Sequence, residues 1–165
     1  MRRFTVLLLI LSLLLSFSGC RSANADTVSF YYCRNPEDYQ YFNESSVIRS
    51  EEREIPGHQN NLQYLMSLYL VGPMDEGLVS PLPRSTRLLS VTQEDSTVVL
   101  TLSEITSGIT DAEFSLAGAC LTLTCISITG CTEVTVISAD RTLTMNADSI
   151  LLADLPAATD TTEGG

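Results

Sequence analysis

The sequence predicts an α+β domain, and three observations predict it. Leu62, Leu65, Met66, Tyr69 and Leu70 recur at i, i+3, i+4, i+7 and i+8, which lays an apolar stripe along an amphipathic helix. Val98, Leu100 and Leu102 alternate with Val99 and Thr101, the period of two that turns apolar side chains to one face of a strand. Runs rich in β-branched and aromatic residues, 28–33 and 131–138, frame both and read as further strands.

In chain order, the first feature is an export leader. Arg2 and Arg3 form a positive n-region, and Phe4 to Leu15 is apolar apart from Thr5 and Ser12. That length suits a signal h-region and falls short of the ~20 residues that cross a bilayer as a helix. Phe17-Ser18-Gly19-Cys20 resembles a lipobox, in which the Cys is lipidated and the chain is cut in front of it; Phe17 stands where Leu usually opens that motif. The alternative is an ordinary secretory signal cut after Ala23 or Ala25. The first reading gives a lipoprotein signal peptide over 1–19, a lipidated Cys20 with a short tether over 20–27, a folded domain over 28–152 and a disordered polar tail over 153–165.

Within the domain, 28–33 is the first strand and Asn35-Pro36 opens a polar, Tyr-containing loop. A second strand is expected over 47–55. Its middle, Glu51 to Glu54, is so charged that it reads as an edge facing solvent. Asn60 or Asn61 can cap the first helix, and Gly72-Pro73 ends it, with Gly72 expected as a left-handed C-cap. A turn-rich link over 74–85, holding Gly77, Pro81 and Pro83, leads to a hairpin of 87–93 and 97–103 around Glu94-Asp95-Ser96. Residues 111–128 are ambiguous on their own. Leu121-Thr122-Leu123-Thr124 alternates like a strand, while Phe114, Ala117, Leu121 and Cys125 have helical spacing, with Thr110 or Asp111 as cap and Glu113 in the first turn. A strand over 131–138 follows, and 142–145 can pair back onto it.

Charge and cysteine content narrow the function. The chain has a formal net charge of −11, with 20 acidic residues, 9 Arg and no Lys. Such a surface repels nucleic acid and anionic lipid, so nucleic-acid binding is excluded and membrane contact is expected through the lipid anchor only. Export permits disulfides among Cys33, Cys120, Cys125 and Cys131, but sequence leaves the pairing open, and buried free thiols are the default reading. Their spacings fit no metal site, and no metal or other cofactor is expected.

No catalytic constellation is found. His58 is the only imidazole and lies beside Pro56-Gly57, as a solvated loop residue would. Glu51, Glu52 and Glu54 lack the pattern of a calcium loop. Tyr31, Tyr32, Tyr39, Tyr41 and Phe42 are the one group able to stack on a glycan or partner, although core strand packing plus loop anchoring explains such aromatics better.

The stretch from Tyr69 through Gly72-Pro73-Met74-Asp75-Glu76-Gly77, Pro81, Pro83 and Thr86-Arg87-Leu88-Leu89-Ser90-Val91 resembles the GerMN family, named from spore germination and sporulation proteins of Gram-positive bacteria. In that family a helix ending in Gly-Pro joins an acidic, Gly-containing turn, then a Pro-containing link and a Thr-x-Leu-Leu-Ser-Val strand. Thr101 and Ser96 depart from it, standing where similar proteins often have Asp and Gly. The resemblance spans roughly 28–145 and marks Gly72, Pro73, Gly77, Pro81, Thr86 and Leu89 as its structural motif. It implies a helix over 111–127 and the order β-β-α-β-β-α-β. The implied architecture is a small mixed sheet with two helices packed on one face, similar to ring-building domains. The functional expectation is a non-catalytic lipoprotein on the outer face of a Gram-positive cell membrane. It would bind another envelope protein, or a second copy of itself, during sporulation or germination. The alternative is a module that binds cell-wall glycan or peptide.

Overall fold

A computed structural model describes residues 27–37, 47–105, 108–139 and 141–150. The leader, Cys20, most of the tether, the tail, Tyr39, Tyr41 and Phe42 lie outside the described residues. Strands β1 (Thr27–Arg34), β2 (Ile48–Glu54) and β3 (Leu78–Val79) form one sheet in the order β2-β1-β3. Strands β4 (Leu88–Glu94), β5 (Thr97–Leu102), β6 (Glu133–Ser138) and β7 (Arg141–Asn146) form a second in the order β4-β5-β6-β7. Helices α1 (Leu62–Tyr69) and α2 (Asp111–Thr129) complete the domain.

The α+β class and the two helices stand. The strands, however, divide between two sheets, so the long helix α2 lies between them rather than on one face of a single sheet; β3 lengthens the expected order, and β7 is the segment over 142–145 expected to pair back. Two-residue β3 was illegible because it is too short to show a period; it exists because Cys33 and Arg34 offer it a pairing edge. In the larger sheet β4 and β7 pair antiparallel with their neighbours, while β5 and β6 run parallel, from Thr97↔Glu133 to Leu102↔Ser138. Parallel neighbours need a long crossover, and α2 is that crossover.

α2 is apolar almost all the way round, so it has to be buried on more than one side. It packs against β1 on one flank and against β6 and β7 on another. By length and composition it could cross a membrane, but it is the core helix of this fold. Gly118 lets β7 approach; a Cβ there would collide with Leu143 Cδ2. Thr110 and Glu113 form a reciprocal capping box, and Gly130 closes the helix at φ 70°.

Thr124 and Ser127 of α2 have a structural use. β1 meets β3 only at its last two residues, so the rest of that edge would expose unpaired backbone groups. The Tyr31 N–H donates to Thr124 Oγ1 at 2.9 Å, and Ser127 Oγ donates to the Ser29 carbonyl at 2.7 Å. Tyr69 Oη, from α1, donates to the Tyr31 carbonyl at 3.0 Å. Side-chain hydroxyls on the helices thus take the place of a neighbouring strand. Phe30, Tyr32, Leu65, Met66, Tyr69, Leu100, Leu121 and Val134 join in one core that spans both sheets.

Candidate functional site

The link between α1 and β4 is the most distinctive part of the surface, and it starts from the end of α1. Asn61 caps the helix by accepting the Tyr64 N–H at 3.0 Å. The helix ends at Tyr69, with Leu70 as a right-handed cap, earlier than Gly72-Pro73. The correction has a geometric cause. Val71 and Gly72 continue with tighter bonds to the carbonyls of Leu68 and Tyr69, at 3.1 and 3.0 Å. Gly72 then bends the chain at φ 107°, a value that favours glycine. It is a turn residue two positions beyond the cap.

That bend delivers the Gly72 carbonyl to Arg53, whose Nη2 donates to it at 2.8 Å. Arg53 Nε donates to Glu51 Oε1 at 2.7 Å. The guanidinium also lies over the Phe30 and Tyr32 rings, 5.1 and 5.7 Å from their centroids. Glu51 in turn accepts the Met74 N–H, at 3.2 and 3.0 Å to its two oxygens. Beneath them Tyr32 and Tyr69 stack at 4.6 Å, and Tyr32 Oη donates to the Tyr69 carbonyl at 3.0 Å. Burial acts to raise the Glu51 carboxyl, but the Arg53 guanidinium and the Met74 and Asp75 amides outweigh it and hold the group below the ordinary carboxylate value. Burial pushes the Tyr32 and Tyr69 phenols up, so both stay neutral donors.

Glu51 and Arg53 are therefore a clamp on the turn, and the solvated reading of that strand does not hold for them. Two residues apart on β2, they share one face, opposite Phe30 and Val28. The sequence signal was that spacing; what hid it was the run of charge around it.

The clamped turn carries exposed apolar side chains. Val71 and Met74 are 80% and 78% exposed, and both line a groove of about 480 Å³ with Asp75, Glu76, Leu82 and Arg84. Val71 also borders a second groove of about 280 Å³ with Leu70, Thr86 and Leu88. Of the motif residues, Gly72, Pro73 and Pro81 are half-buried in the link. The Gly77 N–H donates to Asp75 Oδ1 at 2.8 Å, and its carbonyl accepts from Asn35 at 2.9 Å. Thr86 is buried at 2% exposure, and Leu89 is 62% exposed where β4 bulges between Leu88 and Ser90. Five of these build the link and its junction with β4, while Leu89 stands out from it.

The aromatic segment is not assembled into a face. Tyr32 is in the core, Tyr31 is half-buried, and the others lie outside the described residues. His58 stacks on Tyr64 at 4.5 Å. Among the described residues, no three His, Cys, Asp or Glu side chains are grouped to hold a metal ion.

The family described as "Germane: Sporulation and spore germination" matches residues 29–143. The chain belongs to the Germane family. The match runs from β1 into β7 and so contains the whole clamp and link. The Germane domain is similar in fold to the first GerMN domain of the sporulation protein GerM from Bacillus subtilis. That comparison has a TM-score of 0.53 and 14% identity, over 71% of this chain and 85% of that one. The tandem GerMN domains of the same protein match with a TM-score of 0.52 and 16% identity, over 70% of this chain and 39% of that one. No protein of curated function matches the chain significantly. The fold and the association with sporulation and spore germination anticipated from Gly72–Val91 are thereby established at family level.

Proposed function

We propose that this Germane domain is a non-catalytic docking module, carried on an extracytoplasmic lipoprotein anchored through Cys20, and that it binds another envelope protein in spore formation or germination. The observation that carries the reading is the pair Val71 and Met74. Both are largely exposed, both border one groove, and both sit on a turn that buried Arg53 and half-buried Glu51 hold in place. Burying each would contribute ~1.5–3 kcal/mol, and a turn already fixed loses little entropy on binding. Asp75 and Glu76 beside them fit a partner surface that is apolar with a basic rim. A lipid anchor and short tether would keep the domain near membrane-bound partners and raise their effective concentration.

The test compares the wild-type protein with Val71→Asp and Met74→Asp, crosslinked in sporulating cells. Both residues are solvent-exposed, so unfolding midpoints should stay close to wild type. A protein captured by wild type and lost from both variants supports the reading. Capture of cell-wall glycan alone, unchanged by the variants, would replace docking with ligand binding.

A further inference from the structure

Two of the described cysteines meet. Cys33, at the end of β1, and Cys120, in the middle of α2, have their Sγ atoms 3.9 Å apart in the core. Cys125 points elsewhere, with its Sγ 3.8 Å from Met66 Sδ. Five residues on a helix turn through roughly 140° beyond a full circle and rise ~7.5 Å, so Cys120 and Cys125 face different directions and cannot bond to each other. All four thiols are buried.

We propose that Cys33 and Cys120 are a disulfide-forming pair that staples β1 to α2. The distance between their sulfurs has to fall to about 2.05 Å, a change that side-chain rotation supplies once the backbones are this close. The backbones are already held side by side there, since Tyr31 bonds to Thr124 and Ser29 to Ser127 across the same contact. The oxidant is an external disulfide, either a small molecule or an envelope oxidoreductase. The Cys33 thiolate attacks one sulfur of that disulfide, forming a mixed disulfide and releasing one thiolate. The Cys120 thiolate then displaces the second thiolate and closes the Cys33–Cys120 bond. The pair gives up two protons and two electrons, and the external disulfide becomes two thiols. Cys33 goes first for two reasons. It retains 6% exposure where Cys120 has none. The hydrogen bond shared with Cys120 also holds the Cys33 thiol below its ordinary value, while that bond and burial push Cys120 up.

Only the place where the oxidant is met rests on the export reading. The pairing is tested with the full chain, reduced, folded and exposed to cystine, then alkylated in denaturant and mapped by mass spectrometry. The expected result is loss of alkylation at Cys33 and Cys120 together, with one crosslinked peptide pair joining them. Cys125→Ser should leave that bond intact, and Cys33→Ser should leave Cys120 alkylated. Free Cys33 and Cys120 after oxidation, or a bond from either to Cys125 or Cys131, overturns the proposal. The same mapping on chain trapped with alkylating agent in living cells tests export separately. The bond formed in the tube but absent from cells leaves the pair standing and counts against an oxidising, extracytoplasmic location.

Discussion

Replacing Arg53 with Met tests whether the turn is clamped from β2. Met keeps an apolar stem over Phe30 and removes the guanidinium. The structure assigns that group two short bonds, 2.7 Å to Glu51 and 2.8 Å to the Gly72 carbonyl, and a longer one of 3.4 Å to Tyr32 Oη. Hydrogen bonds to a charged group contribute ~1.5–3 kcal/mol each, and removing one partner of a buried ion pair costs ~3–5 kcal/mol. The two side chains are 7% and 10% exposed, but Glu51 as a residue is half-buried, so the full cost of a buried pair does not apply. Glu51 would keep the Met74 and Asp75 amides, which limits the loss to ~2–4 kcal/mol. With a urea m-value of ~2 kcal/mol/M, the midpoint should fall by roughly 1–2 M at unchanged m. The assay is urea unfolding of the single variants and of Arg53→Met with Glu51→Gln. A coupling of at least ~1 kcal/mol is expected, because the two groups share one network. Amide exchange at Gly72 to Gly77 should accelerate in Arg53→Met. A loss under ~1 kcal/mol, or strict additivity, would refute the clamp.

Gly72→Ala should cost ~1–2 kcal/mol in the same assay, since open space surrounds the new Cβ and only the φ of 107° resists it. Glu51 is held below its ordinary carboxyl value when folded, so its stabilisation is fully present above ~4.3, the unfolded value, and is lost as pH falls through the folded one. Wild type should therefore lose more stability than Glu51→Gln in titrations carried down through and below that value; parallel curves would contradict this. Thr124→Val removes the acceptor for the Tyr31 N–H and should cost ~1–3 kcal/mol, with faster exchange at that amide. Mass spectrometry of the mature N-terminus should find Cys20 acylated.

The sequence showed most elements because their local signals agree with their surroundings. The stripe of α1 is the face that buries Leu65, Met66 and Tyr69, and the alternation of β5 is the one that buries Val98, Leu100 and Leu102. α2 was ambiguous because two of its hydroxyl residues, Thr124 and Ser127, serve tertiary ends. Thr124 and Ser127 bond to the β1 edge from a helix, and strand propensity cannot distinguish that use. The division into two sheets was illegible because it depends on α2 lying between β1 and β6–β7, a long-range fact with no local trace. The candidate site was half legible. Gly72, Pro73 and Gly77 announce a turn, but charged Glu51 and Arg53 resemble solvated residues until the register places them opposite Phe30 and Val28. Exposure of Val71 and Met74 cannot be read from apolarity alone, which in a helix stripe or beside one predicts burial.

The central claim is that the domain docks through the clamped turn. A photo-crosslinking amino acid at Met74, compared with one at Thr144 on the exposed face of β7, tests it most directly in sporulating cells. One discrete protein adduct is expected from position 74 and none from position 144. Equal adducts from both positions, or none from position 74 with the protein folded and present at normal level, would contradict it.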